Sequence, residues 1–478
     1  MTITPTSGYV HNLTSSEEAK LREFWSLLFT TVSSILSSIY EIPLPEGSPN
    51  DILKLLANVE EPSADGILNA LKGQVPSVTI DATNGETNGK SQKSVLEELS
   101  FKKVTRAQLT SLFTQLRTFG VTEVEIKSME KILTTMSPAE MCVAVLKMVK
   151  QDHPDTVMLR FLRARKWDIP KAFGMLANAI LWRKTMQVDD DIVPKGELHA
   201  WELARNTKLS AAERKEGKDF IAQLEMGKSY LHGLDRENRP VNIVRVRLHK
   251  PGAQTQAALE RYIVHVIEST RILVRHPVET GTILFDMTGF SLSNMEYSPV
   301  KFIIQCFEAN YPESLGLLLI HNAPWIFSGI WKIIHGWMDP VVASKVQFTN
   351  SIADLDKYIP RAQMPKEFGG EEDFDYKYIE PKADENAPML DKAAGDAVLI
   401  ERMMIGVKMV AATATWISAA DSAKTDEERA AAKELKKYRD TFIEQYEQNY
   451  WKLDPYVRAR ALIDRTGAIE ADGTVNKF

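Results

Sequence analysis

Apolar side chains recur at helical spacing over residues 16–41, where Phe24, Leu28, Ile35 and Ile39 form a stripe widened by Trp25, Leu27, Val32 and Leu36. That periodicity predicts a helix burying one face. Pro43, Pro45, Gly47 and Pro49 end it. The pattern is lost over 74–95, a stretch rich in Asn, Gly, Ser and Thr and almost free of large apolar groups. With little to bury, it predicts a disordered linker. Helical spacing returns from Thr105 to Met186, with Ser137, Pro138 and Glu140 as a start signal and helices at 155–166 and 169–186. Beyond about residue 218 short apolar runs at 240–246, 282–285 and 315–320 alternate with helices at 254–276, 299–310 and 324–337. Continuous apolar strands between helices predict a largely parallel sheet covered by helices, an α/β core. Residues 383–478 return to helix, with two Ala-rich stretches and a charged one at 426–437. The expected division is a helical extension (1–73), a disordered linker (74–96), a helical lobe (97–200), the α/β domain (201–380) and a second helical extension (381–478).

Charge narrows the partners. The 478 residues carry 58 Lys+Arg against 64 Asp+Glu, a net −6, so no global basicity points to nucleic acid. The only cysteines are Cys142 and Cys306, too far apart for a zinc ribbon, a CxxC centre or a disulfide scaffold, and they predict a reducing compartment. The N-terminal stretch has no charged n-region and no apolar h-region, so no signal peptide is expected. Met403–Ala420 is the most apolar long segment, but it contains Lys408, Thr413, Thr415 and Ser418. A mid-span lysine costs roughly 2.5–3.5 kcal/mol in a bilayer. An alanine-rich helix packed on the protein is the better reading, and no segment is expected to span a membrane.

The sequence offers little bond-making chemistry. Gly85-Glu-Thr-Asn-Gly-Lys-Ser has three residues between its glycines where a phosphate loop needs four, and no strand precedes it. Gly289-Phe-Ser-Leu-Ser lacks the second glycine of a nucleophile elbow. The nine histidines show no HExxH and no paired ligand spacing. Asp286 ends an apolar strand without a visible partner base, which favours a turn cap. No catalytic residue, metal or resident cofactor is predicted.

Three features carry more. Arg160, Arg163, Arg165 and Lys166 crowd one helix end and do not share a single face, so a solvated basic end and a binding site both fit. Glu313, in Tyr311-Pro-Glu, immediately precedes an apolar strand. Buried there it needs a basic partner or a polar ligand; exposed, it is an ordinary loop acid. The helix at 324–337 has an apolar arc including Phe327, Ile330, Trp331, Ile333, Ile334 and Trp337, wide enough for either a core helix or a lid.

Together these segments resemble the CRAL-TRIO lipid-transfer family, in its fungal phosphatidylinositol-transfer branch. The landmarks are Leu-Arg-Phe-Leu-Arg-Ala-Arg-Lys-Trp-Asp at 159–168, the Asp235 turn before Pro240-Val241, Phe-Asp-Met-Thr-Gly-Phe-Ser at 285–291, and Tyr-Pro-Glu at 311–313. Asn-Ala-Pro-Trp at 322–325, Met-Asp-Pro-Val-Val-Ala-Ser-Lys at 338–345 and Pro-x2-Phe-Gly-Gly at 365–370 complete the order. The resemblance implies a helical N-terminal lobe and a sheet flooring an apolar lipid pocket closed by a gating helix at 324–337. It implies head-group contacts by Arg165, Glu313 and Lys345, and it suggests Gly369 and Gly370 as hinge residues. On the gating helix, Ile330, Ile333 and Ile334 are expected over the acyl chains, and Trp325, Phe327 and Trp331 toward the bilayer. Family members that exchange choline lipid place Tyr and Ser/Thr side chains where Leu231, Asn242, Gly281 and Ile283 stand here, so a different apolar lipid is the expected second ligand. The implied activity is extraction and exchange of phosphatidylinositol, or its presentation to a lipid kinase, by a cytoplasmic protein that visits membranes or lipid droplets. A lipid-metabolising enzyme using Asp286 and the same pocket, and a lipid-switched interaction scaffold, are the alternatives.

Overall fold

The computed structural model describes residues 7–39, scattered positions between 113 and 136, and 138–476. The expected linker at 74–96, with the Gly85–Ser91 motif, lies outside the described residues. The chain forms two compact units, Met1–Leu181 with Pro388–Tyr456, and Trp182–Ala387 with Val457–Phe478.

The first unit is helical. Its helices include Ser15–Ile39, Pro138–Val149, Pro154–Ala164, Lys392–Ser422 and Asp426–Val457. Helix Pro138–Val149 begins at the expected proline, and Pro154–Ala164 is opened by a cap the sequence reading did not name: His153 Nδ1 accepts from the Asp155 amide at 3.1 Å, and Pro154 occupies the first turn. Phe24, Trp25, Leu28, Met158, Phe173 and Trp416 are buried in one apolar core. A charged clasp crosses that core. Asp155 receives the Arg439 guanidinium at 2.5 and 2.8 Å and the Trp25 indole N–H at 2.7 Å, while Arg439 Nε donates to Thr413 Oγ1 at 2.8 Å. Burial opposes the Asp155 charge, but Arg439 outweighs it and holds the carboxyl well below its usual range. Four helices are joined by this one group. The Met403–Ala420 segment lies inside Lys392–Ser422, with Val407, Ala414, Trp416 and Ile417 packed into the core. No described helix is long and apolar enough to cross a membrane.

The second unit is built on a five-stranded sheet in the order β1 (Ser229–Leu234), β2 (Pro240–Arg245), β3 (Gly281–Asp286), β4 (Leu315–His321) and β5 (Val346–Thr349). β1 runs antiparallel to β2, and every other pairing is parallel. The α/β reading holds: helices Gln256–Leu273 and Tyr297–Gln305 connect the parallel strands, the second continuing as a π-turn at Cys306–Asn310. β1 and β5 escaped the sequence reading because Ser-Tyr-Leu-His-Gly-Leu lacks clean alternation and Val-Gln-Phe-Thr is only a short run. Helices Val193–Arg205 and Ala211–Glu225 precede the sheet, the latter opened by a Ser210–Glu213 capping box.

Alternation along the strands divides the core. Ile283, Leu318 and Ile320 share one cluster with Phe327, Ile330 and Ile334. Val241, Ile243, Leu284 and Leu319 share another with Leu355, Ile359, Met364 and Phe368. The chain's end, Val457 onward, is part of this unit. Arg465 pairs with Glu197 and with Glu385 (3.0 Å), and Glu197 also meets His265 Nε2 and the Tyr378 hydroxyl, each at 3.1 Å. Gly196 has φ 53°, and a Cβ there would lie 2.7 Å from that of Ala459, so only glycine lets the end of the chain close on this helix.

Candidate functional site

The edge of the sheet where β4 and β5 begin carries two of the expected site residues. The chain reaches β4 through the π-turn, whose closing bond runs from the Tyr311 amide to the Cys306 carbonyl at 2.7 Å. Tyr311 is buried and fixed at its far end: its hydroxyl donates to Glu268 at 2.7 Å, and Arg183 donates to the same carboxylate at 2.8 Å and to Asp189 at 2.6 and 2.8 Å. Burial and the adjoining Glu268 charge push the Tyr311 phenol well above its usual range, so it remains a donor. Pro312 follows, and Glu313 adopts φ 54°, a left-handed conformation that side-chain-bearing residues avoid. Ser314 Oγ donates to the Tyr311 carbonyl at 2.5 Å, and the Gly281 amide donates to the Ser314 carbonyl at 2.9 Å, tying the turn to β3.

Lys345 arrives from the neighbouring strand connection. Asp339 caps the short helix Pro340–Ser344 by accepting from the Val341 amide at 2.8 Å, and Lys345 closes it just before β5. Glu308, in the π-turn, accepts from the Asp339 backbone amide, so the two connections are themselves joined. The outcome is a Lys345–Glu313 pair at 3.5 Å with both side chains 19% exposed. At that separation neither group is saturated. The ammonium keeps donors and the carboxylate keeps acceptors.

Arg165 lies in the other unit, at the end of helix Pro154–Ala164. Its guanidinium donates to the Ala164 carbonyl at 3.1 Å, and it is half-buried. The rest of its motif is committed to structure. Arg160 pairs with Asp152 at 3.0 Å, while Arg163 donates to the Gly8 carbonyl at 2.6 Å and stacks 4.0 Å over the Tyr9 ring.

The segment expected to act as a gate differs from expectation in length and in facing. Its helix spans Phe327–His335, preceded by turns at Pro324–Ile326 and closed at Gly336. Ile330 and Ile334 are buried as expected, but Ile333 is 47% exposed and Phe327 only 6% exposed. At about 100° per residue, Phe327 and Ile334 fall on the same side of Ile330 and Ile333 on the other. The inward arc is therefore centred between Ile330 and Phe327, and the places assigned to Ile333 and Phe327 are exchanged. Trp331 is also turned inward, half-buried against Phe327 and 5.2 Å from the Phe348 ring. Trp337 meets Tyr297 edge to face with ring centroids 5.4 Å apart, and Lys301 Nζ lies 4.5 Å from the Trp337 ring centroid. Trp325 is 87% exposed.

Gly369 has φ 82°, and a Cβ on Gly370 would meet the Met364 carbonyl at 2.0 Å, so this turn requires both glycines. Asp286 caps a turn as expected, accepting from the Thr288 amide at 3.0 Å, and also pairs with Arg247. Among the described residues no group of three or more His, Cys, Asp or Glu is placed to hold a metal. The Arg183–Glu268–Tyr311 anchor was missed because its members are 43 to 128 positions apart; only Tyr311 lies in a recognisable motif.

The CRAL/TRIO domain matches residues 224–370 and the CRAL/TRIO N-terminal domain residues 126–178. The chain is similar to phosphatidylinositol transfer protein CSR1 of Eremothecium gossypii, at 35% identity over 98% of this chain and 100% of the relative. CRAL-TRIO domain-containing protein C3H8.02 of Schizosaccharomyces pombe is 34% identical over 97% of this chain and 92% of its own. SEC14 cytosolic factor of Yarrowia lipolytica is 31% identical over 45% of this chain and 43% of its own. The first two likenesses run through both extensions, beyond the motifs of residues 159–370.

Proposed function

The chain belongs to the CRAL/TRIO family, and from that premise we propose that it extracts phosphatidylinositol from membranes and exchanges it between them or presents it to a lipid kinase. The observation that carries this reading is the half-buried Glu313–Lys345 pair at the edge of a sheet with an apolar face. Lys345 takes the phosphate as a compact charge, and Glu313 accepts inositol hydroxyls or steadies the lysine. No bond is made or broken. Acyl chains resist leaving a bilayer by about 0.8 kcal/mol per CH₂, and an apolar protein face that buries them equally well removes that barrier.

The Phe327–His335 helix serves as the gate, with the Gly369–Gly370 turn as its hinge. Closed, Phe327, Ile330 and Ile334 cover the chains; at the membrane, exposed Trp325 and Ile333 enter the interface, where tryptophan is favoured. The protein works in the cytoplasm and visits membrane or lipid-droplet surfaces, carrying a second apolar lipid as alternative cargo. Phosphatidylcholine is poor cargo because Leu231, Gly281 and Ile283 offer no hydroxyl to its phosphate, and an unmet phosphate is costly to bury. Native mass spectrometry after incubation with vesicles of mixed phosphatidylinositol and phosphatidylcholine tests this. Retained phosphatidylinositol with little phosphatidylcholine is expected; a protein that leaves the vesicles without phosphatidylinositol overturns the reading.

A further inference from the structure

An imidazole stands between a buried cation and an anion in the second unit, and the Glu313–Lys345 site makes no use of it. Lys228, at the entrance to β1, is 5% exposed, and the His249 side chain, just past β2, is 12% exposed. Lys228 Nζ lies 3.3 Å from His249 Nδ1 and 3.3 Å from Gln254 Oε1, and His249 Nε2 lies 2.9 Å from Glu296 Oε2. The partners assign the tautomer. An ammonium has no lone pair, so Nδ1 accepts from Lys228, and Nε2 carries the hydrogen that Glu296 receives. Only the neutral imidazole serves both. Lys228 and Glu296 are the charged groups that face His249; Arg247 is engaged with Asp286 and Glu367, and Lys250 is exposed.

Acid sets two members of this chain against each other. A protonated His249 turns an N–H toward the Lys228 ammonium 3.3 Å away, and two cations that close repel strongly where water is largely excluded. Burial, then the Lys228 charge, hold the imidazole below its ordinary value of 6.5, while Glu296 opposes them. Burial lowers Lys228 to about 8, so the amine is still mostly charged at pH 7. The clash therefore develops as pH falls below the ordinary histidine range. Lys228 keeps Gln254, and His249 gives way.

Its movement reaches the Phe327–His335 helix through one connection. The His249 carbonyl accepts from Asn294 Nδ2 at 2.9 Å, and Glu296 immediately precedes the helix Tyr297–Gln305. Two residues of that helix hold Trp337, just past the proposed gate: the Tyr297 ring at 5.4 Å and Lys301 Nζ at 4.5 Å. We propose that His249 is a proton-operated latch on the gate: neutral, it joins Lys228 to Glu296 and steadies the Trp337 end; protonated, it breaks from Lys228 and frees that end for lipid exchange. His249 is a positioning residue, since it acts through Glu296 and Tyr297.

The latch rests on the reading that this helix gates lipid transfer, and its test separates the two. Wild-type protein, Lys228→Met and His249→Gln are followed from pH 7.5 to 5.0 by histidine NMR, by fluorine NMR after 5-fluorotryptophan labelling, and by phosphatidylinositol transfer between vesicles. The Trp337 resonance is assigned through Trp337→Phe. In wild type the His249 signal should titrate below pH 6.5, the Trp337 resonance should shift with it, and transfer should rise several-fold. In Lys228→Met, His249 should titrate at higher pH, because its cationic neighbour is gone, and both variants should lose most of the pH response of transfer. Identical His249 titration in wild type and Lys228→Met overturns the proposal. So does a Trp337 resonance that ignores His249, a wild-type transfer rate independent of pH, or a response in His249→Gln equal to that of wild type. If one variant does not fold, the other decides. Wild-type protein whose Trp337 follows His249 but which transfers no phosphatidylinositol at any pH would defeat the transfer reading and leave the link from His249 to Trp337 standing.

Discussion

Glu313 pays for its position in backbone conformation, since a left-handed residue with a side chain is strained by about 1–2 kcal/mol. The anchor two residues earlier holds it there: Tyr311 is fixed by Glu268 at the ring and by Cys306 and Ser314 at the main chain. Tyr311→Phe removes one donor from Glu268 but leaves it Arg183 at 2.8 Å and Arg271 at 3.5 Å, so the fold should survive with a loss of about 1 kcal/mol. Phosphatidylinositol transfer should fall several-fold in a fluorescent-lipid vesicle assay; unchanged transfer would show that the tyrosine does not position the acid. A second residue-scale test concerns Glu447 in the helical unit. Burial, then the like charges of Asp152 and Glu444, push its carboxyl up to about 7. A carboxyl whose pKa is raised on folding weakens the fold as pH climbs from about 4.5 to 7, because the folded state must then give up a proton it prefers to keep. Glu447→Gln should therefore stabilise by about 2 kcal/mol above pH 7 and by little below pH 4.5. Equal melting temperatures at pH 7.5 would contradict this. At this scale the sequence offered Arg165, Glu313 and Lys345 as candidates, because each sits in a dense local motif, and the structure pairs Glu313 with Lys345. The sequence could not display Glu268 or Arg183, whose meeting with Tyr311 depends on long-range packing.

Among elements, the Phe327–His335 helix shows how far periodicity reaches. The apolar arc marked the helix and its buried Ile330 and Ile334, but an arc spanning much of the circumference does not fix its own centre. Packing against the sheet decides it, and turns Phe327 in and Ile333 out. Two substitutions follow from that orientation. Ile333→Glu should weaken vesicle binding and slow lipid exchange with the melting temperature nearly unchanged. Phe327→Glu should unfold or strongly destabilise the second unit, since a buried unpaired carboxylate costs several kcal/mol. Co-sedimentation with anionic vesicles and thermal melts check both, and similar behaviour of the two variants would mean the helix has no distinct faces. The sheet followed the same rule: the apolar runs of β2, β3 and β4 were legible, whereas β1 and β5 are strands by virtue of their neighbours.

Across the whole chain, stability depends on charged groups brought together over great sequence separations. Asp155 and Arg439 are 284 positions apart, and Glu197 and Arg465 are 268 apart. No local pattern announces either pair, which is why the final helices read as extensions when taken in sequence order. Arg465→Met would leave Glu197 buried with only His265, Tyr378 and the Leu462 amide as partners. Losing one member of such a pair costs about 3–5 kcal/mol, so the melting temperature at pH 7 should fall by many degrees. Burial opposes the Glu197 charge, but the bonds from His265 and Arg465 prevail and lower its carboxyl to about 2. A depressed carboxylate contributes stability above about pH 4.5 and loses it as pH falls toward 2, so the gap between wild type and Arg465→Met should close over that window. A gap independent of pH would place the effect elsewhere than in this pair.

The central claim, that the chain moves phosphatidylinositol by holding its head group at Glu313 and Lys345, is tested most directly by transfer between vesicles. Labelled phosphatidylinositol in donor vesicles is followed into unlabelled acceptors with wild-type protein, Glu313→Gln and Lys345→Met, each with its melting temperature. The account predicts rapid transfer by wild type and at least a tenfold loss in both variants, with melting temperatures within a few degrees of wild type. Undiminished transfer by either variant, or a loss that merely tracks unfolding, would contradict it.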